Sequence, residues 1–301
     1  MNGYKYKFAT LFFVLFLFPL SGHAQGEKMD SASFCCYYTH FVRTESREHI
    51  ATVDSFYSIL EVGKRIYKYG ELATYTAHKK FLPDEMKWLE KEDCLRDEHL
   101  WVTQNYPKEG MMTVEEALHP AFFLYTESMD SIRWELIPGD SMIMEYLCHK
   151  AKMQYAGRGW TAWYTEEIPV SSGPWKLVGL PGLVLYAQDD SGTHVFQANS
   201  VFNVENQPIT AVHDKWSTTK DTKRDSFIKT RNKIKCDPMW LLIPYYNDRS
   251  NFKMTIFNQK AREEMGTRPF IWINRIKYPC RELGDGNLDY IYNCFQPLEL
   301  Y

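Results

Sequence analysis

Cys148 and His149 stand side by side, and a thiol next to an imidazole has the parts of a nucleophile: the ring takes the proton and the sulfur attacks. Strand geometry argues against that use. Ala151, Met153 and Tyr155 alternate with Lys150, Lys152 and Gln154, and consecutive residues of a strand point to opposite faces, which separates the thiol from the ring. Histidines at 40, 49, 78, 99, 119, 149, 194 and 213 are scattered, so any cluster would have to be assembled in space. Cys94 and His99 form a lone couple five residues apart, and Cys35 and Cys36 are adjacent, so the paired spacing of a zinc site is missing. The sequence also lacks a Gly-x-Ser-x-Gly elbow, a His-Glu-x-x-His helix, a phosphate loop and a dinucleotide glycine fingerprint. No catalytic residue, metal ligand or cofactor is assigned from these patterns, and a hydrolase or thiol enzyme built on Cys148 or gathered histidines stands as the alternative to a binding role.

The elements that would position such residues are mostly strands, rich in Tyr, Phe, Trp, Val and Ile with a period of two. Residues 37–44, 55–62 and 65–69 read as short opening strands. Pro83, followed by Asp84 and Glu85, opens an expected helix running to His99. Residues 121–127 and 132–137 read as a hairpin about Ser128 to Ser131, and 142–155 as a strand. Gly157-Arg158 turns the chain into residues 160–165. Residues 183–188 and 193–204 form a hairpin, with His194, Phe196, Ala198, Phe202 and Val204 expected on one face. A basic run, 217–235, surrounds Phe227, Ile228 and Ile234 and reads as a helix on the sheet with a solvated outer side. Residues 239–244, 252–258 and 270–278 supply further apolar segments. The expected fold is mainly β, a β-rich α+β chain whose curved antiparallel meander is covered by one or two helices.

The compartment is read from the first residues. Lys5 and Lys7 precede an uncharged apolar stretch, residues 8–20, and Gly22-His23-Ala24 gives a small-residue exit, the pattern of a secretory signal cleaved after Ala24. That stretch is shorter than the roughly 20 residues a membrane span needs. Residues 25–301 then form one β-rich domain, periplasmic or secreted, with no membrane span. All seven cysteines follow Ala24, in an oxidising compartment, and the odd count leaves one thiol unmatched within the chain. Cys280 and Cys294 flank a loop with Gly-Asp-Gly and are the first pair to join. With 35 Lys+Arg against 38 Asp+Glu there is no global basic field, and the one basic run lacks interleaved aromatics, so nucleic acid is not an expected partner.

Residues 168–185 are the most unusual stretch. Pro169, Pro174 and Pro181 with Gly173, Gly179 and Gly182 interrupt an otherwise apolar run. Proline removes a ladder donor and restricts its neighbour, so the segment reads as a rigid corner crossing the end of a sheet. One reading is a corner that plugs the core; the other is a rim of Trp163, Trp175 and Leu180 around an apolar ligand site. Within it, residues 179–184 read Gly-Leu-Pro-Gly-Leu-Val, and the chain here resembles the GLPGLI family of exported bacterial proteins. Residues 143–148, Lys150-Ala151, Gly157-Arg158, residues 162–165, Ile168-Pro169, residues 173–176, Leu185, Ala187 and Asp189 fall in that family's order. Tyr106-Pro107, residues 125–127 and Trp134 extend the likeness upstream, so that it covers about residues 105–204. Glu145 stands where members usually carry Gly. The resemblance implies export in Gram-negative bacteria, mostly Bacteroidetes, and a β-rich fold, and no reaction.

The expected role is therefore a non-enzymatic binding or assembly protein of the cell envelope, holding a hydrophobic ligand or an envelope protein partner near the corner. Candidate binding residues are Trp163, Pro169, Gly173, Pro174, Trp175, Gly179, Leu180, Pro181 and Gly182.

Overall fold

Two meanders share one sheet. In the computed structural model, which describes residues 28–45, 51–72, 100–118, 121–210, 218–236, 270–273, 276–282, 288–290 and 298–299, the first meander runs through β1 (Lys28–Glu45), β2 (Ala51–Val62), β3 (Tyr67–Glu71), β4 (Leu100–Gln104), β5 (Met111–Leu118) and β6 (Ala121–Ser128). The second runs through β7 (Glu135–Ile143), β8 (Tyr146–Tyr155), β9 (Arg158–Thr165), β10 (Leu183–Asp189) and β11 (His194–Thr210). They join where β1 pairs antiparallel with β11. With β12 (Thr218–Asp221) beside β6, the order across the sheet is β12-β6-β5-β4-β3-β2-β1-β11-β10-β9-β8-β7. Helix α1 (Arg224–Cys236) follows β12, and β13 (Phe270–Ile273), β14 (Ile276–Glu282) and β15 (Leu288–Tyr290) make a separate small sheet.

The sheet is rolled. β6 and β8 are nine strand positions apart, which at about 4.8 Å per strand would be about 43 Å on a flat sheet. Yet the Tyr155 hydroxyl of β8 donates to Glu127 of β6 at 3.3 Å. The inner face carries Tyr38, Leu60, Val102, Val114, Tyr125, Ala151, Met153, Trp160, Ala162, Phe196 and Ala198, all buried in one cluster. The mainly β, curved architecture read from the strand patterning is what the chain adopts, and α1 covers it through Phe227 and Ile228, both buried.

Several local expectations are corrected. Residues 121–127 and 132–137 are not a hairpin: β6 pairs with β5 and β7 with β8, nearly the full width of the sheet apart. Ser128 caps a single 3-10 turn over Met129–Ser131, accepting from the Asp130 N–H, which redirects the chain. Residues 142–155 are a hairpin, because Met144 and Glu145 both take positive φ (52° and 71°) between the paired Ile143 and Tyr146. That geometry makes position 145 a turn position at which glycine is favoured. Along β11, Tyr37 pairs with Ser200 and Tyr38 with Ala198, so one extra residue bulges out. His194, Phe196 and Ala198 face inward as expected, whereas Phe202 and Val204 turn to the outer face beside Cys35 and Tyr37. The sheet is also mixed, since β12 runs parallel to β6.

The signal segment 1–24, the helix read at 82–99, Cys94 with His99, residues 239–244 and 252–258, and Cys294 lie outside the described residues. Cys35, Cys36 and Cys148 are buried and form no disulfide among the described residues. No helix among those residues is long and apolar enough to cross a membrane.

Candidate functional site

The corner between β9 and β10 enters the roll. Leu183 N–H donates to Ile168 O and Val184 N–H to Ser172 O, each at 3.0 Å, which folds residues 168–184 back on themselves. Both meanders hold it: Ser172 Oγ donates to Gln104 at 2.9 Å, Tyr38 OH to Val184 O at 2.7 Å, and Trp134 Nε1 to Val178 O at 2.8 Å. Trp175, Leu177, Val178 and Leu180 are buried, with Trp175 against Trp160 and Tyr155. Glycine is sterically required at 173, where a Cβ would lie 2.6 Å from Leu177 O, and at two further positions. Gly179 has φ +95°, and a Cβ on Gly182 would lie 2.0 Å from Thr165 O. Of the candidate binding residues, Gly173, Pro174, Trp175, Leu180 and Gly182 are buried in this plug, while Pro169, Gly179 and Pro181 are exposed. Trp163 lies on the opposite face, edge-on to Tyr186 with Lys150 over its ring, so it shares no rim with Trp175 and Leu180.

Lys176 is wholly buried. An isolated ammonium there would be costly, and the structure matches it with partners. Lys176 Nζ pairs with Glu127 and Glu299 and lies 3.1 Å from the Tyr125 hydroxyl. Arg224 of α1 joins the same two carboxylates, at 3.1 Å to Glu127 and 2.8 Å to Glu299, and Arg231 bonds Glu116 at 3.0 Å. Burial alone would raise the Glu299 pKa, but Lys176, Arg231 and Arg224 more than offset it and hold it below its ordinary value. Burial, with Glu299, Glu127 and Glu116 around it, pushes the Tyr125 phenol well up, so it stays protonated. The basic run is thus only partly a solvated face: Lys220, Lys223 and Lys229 are exposed, whereas Arg231 is buried and Arg224 half-buried. Sequence reading passed over this cluster. Its one local signal is a lysine amid buried apolar residues, and Glu116, Arg224, Arg231 and Glu299 are distant in the chain.

The nucleophile reading finds no activated sulfur. Cys148 is buried, and burial pushes its thiol up to about 11, so the thiolate is scarce at neutral pH. His149 turns the other way, its Nδ1 2.8 Å from Asp140. Two histidines do meet: His40 Nε2 and His194 Nδ1 are 3.1 Å apart, both rings buried, one donating to the other. Asp189 accepts from the His194 N–H at 2.9 Å and from Arg158 at 2.7 Å, a buried pair that binds β9 to β10.

The inner face is uncovered at one end. Ala151 of β8 is buried, but its neighbour across the ladder, Leu136 of β7, is 60% exposed. Met142 and Leu147, paired with each other on the same face, are 64% and 44% exposed. They lie beyond Trp134, whose ring is 3.9 Å from where a Gly179 side chain would begin. β7 is also the last strand of the sheet, so its outer backbone ladder has no partner strand among the described residues. The Asp140–His149 pair lies on this face between Leu136 and the Met142–Leu147 pair. The surface beside the rigid corner and the open ladder is thus apolar at two points with a polar pair between them, and can take up an extended segment of mixed character.

Fold and site together define a mainly β protein whose twelve-stranded rolled sheet closes on a proline and glycine plug. Residues 156–186, covering β9, the plug and the start of β10, match the family described as "Protein of unknown function (Porph_ging)". The resemblance to the Bacteroidetes-associated GLPGLI-type family is borne out over that segment. No curated protein matches the chain. Among solved structures, PNGF-II in a P21 crystal form aligns at 13% identity and a TM-score of 0.44, over 65% of this chain and 32% of that one. The C2 form aligns at 14% identity and 0.41, over 64% and 32%. This chain spans about a third of the length of that protein.

Proposed function

We propose that the chain is an exported cell-envelope protein that binds an extended partner segment, without catalysis, on the open face of β7 and β8 beside the Gly-Leu-Pro-Gly-Leu-Val corner. The observation that carries the reading is the exposure of Leu136, Met142 and Leu147 on one face at the terminal strand. An extended polypeptide suits this place better than a compact ligand, because it uses both the side chains and the ladder. The plug's contribution is rigidity: it fixes β9 and β10 behind the hairpin and leaves Gly179 and Pro181 at the margin. Export rests on the signal pattern of residues 1–24.

The test is a titration with bis-ANS, followed by competition with a heptapeptide of alternating Val and Thr. Saturable dye binding, displaced by the peptide and weakened about tenfold in the triple variant Leu136→Ser, Met142→Ser, Leu147→Ser, is the expected outcome. Equal binding by the variant sinks the site. Export is checked separately by sequencing the N-terminus of the secreted or periplasmic form, which should start at Gln25; a retained Met1 contradicts it.

A further inference from the structure

Glu299 is held as a ligand is held. One carboxylate oxygen takes Lys176 Nζ and, at 3.4 Å, the Tyr125 hydroxyl; the other takes Arg224 Nη2 at 2.8 Å. Its main-chain carbonyl accepts from Arg231 Nη2 and Asn232 Nδ2, both at 3.2 Å. These donors come from β6, the plug and α1, while Leu298 and Glu299 belong to no strand or helix and are both buried. Five donors converge on this one residue, its backbone included, whereas a bidentate ion pair uses two. The charges point the same way. Among the described residues, Lys176, Arg224 and Arg231 face Glu116, Glu127 and Glu299, so withdrawal of Glu299 removes a counter-charge from a fully buried ammonium.

We propose that Lys176, Arg224, Arg231 and Tyr125 form a carboxylate-binding site whose resident ligand is the chain's own Leu298-Glu299, and that the site takes a free carboxylate when that side chain is withdrawn. Because Arg224 and Arg231 both lie on α1, the bound Leu298-Glu299 segment also locks the helix to the sheet. The ligand class is an acidic peptide segment, and the apolar hairpin site plays no part.

Glu299→Ala in the full chain removes a fragment the size of acetate. Relative to wild type, the melting temperature should fall by about 10 °C. Sodium acetate should then raise it saturably by at least about 3 °C over sodium chloride of equal ionic strength, with no such difference in wild type. Acetate and chloride acting alike on the variant, or a variant as stable as wild type, overturns the proposal. If the variant does not fold alone, refolding yield in acetate against chloride gives the same decision: a higher yield in acetate supports the site and equal yields refute it. An acetylated peptide of residues 296–301 replaces acetate in a last arm. Rescue at far lower concentration marks a site specific for this segment, and rescue no better than acetate marks a general carboxylate site.

Discussion

The plug and the β7–β8 hairpin are both apolar and adjoin one another, yet they treat water in opposite ways. The plug buries Trp175, Leu177, Val178 and Leu180 and even brings Lys176 inside with its counter-ions. The hairpin leaves Leu136, Met142 and Leu147 in solvent on the same face of the same sheet. Apolar surface of this size is worth roughly 1.5–3 kcal/mol per large side chain when removed from water, so the hairpin holds back stabilisation that folding does not use. The difference separates motif residues that serve structure from a surface that folding leaves open. Within the matched segment, Arg158, Lys176 and Gly182 contact Asp189, Glu127 and Thr165 in turn, and with Tyr125 and Trp134 they hold the plug in the roll.

The largest effect is expected at Lys176. Lys176→Met leaves Glu127 and Glu299 without their shared cation, and denaturant unfolding should show a loss of about 3–5 kcal/mol. A loss below about 1 kcal/mol would erase the contrast with the hairpin. Gly182→Ala drives a Cβ into Thr165 O and should cost about 3 kcal/mol in the same measurement.

Glu115 sharpens the contrast from the outer face. It is buried, and burial pushes its pKa up to about 7 from 4.5, with Lys68 pulling the other way. The folded chain therefore keeps this proton to a higher pH than the unfolded chain does, and the stability tied to it is full below about 4.5 and declines as pH rises through about 7. Glu115→Gln should match wild type near pH 4 and exceed it by about 2 kcal/mol at pH 8 in urea unfolding. A difference that does not change with pH would contradict it. The smallest effect belongs to the hairpin turn. Glu145 holds φ 71°, where glycine is at ease, so Glu145→Gly should raise stability by about 1 kcal/mol while leaving the apolar face as it is.

Strand content and the fold class were legible because period-two alternation needs no tertiary knowledge: Ala151, Met153 and Tyr155 are buried just where alternation puts them. The plug was legible as one of two readings, since proline and glycine specify a corner locally. What failed depended on single-residue events. One bulged residue in β11 turned Phe202 and Val204 to the other face, and the 3-10 turn at Met129–Ser131 sent β7 to the far edge. The ion cluster was illegible for a different reason. Glu299 lies 123 residues from Lys176, and no local pattern announces a pairing over that distance. The open hairpin face was hidden too, because alternation tells which side chains share a face and not whether anything covers it.

One comparison tests the division of labour most directly: melting temperature and bis-ANS affinity measured side by side on Leu180→Ala and on Leu136→Ser/Met142→Ser/Leu147→Ser. Leu180→Ala should lose about 2–5 kcal/mol of stability and keep the dye affinity at temperatures where it is folded. The triple variant should melt within about 2 °C of wild type and bind the dye about tenfold more weakly. The reverse pattern, affinity lost at Leu180 and kept in the triple variant, would move the binding site into the plug and contradict the assignment.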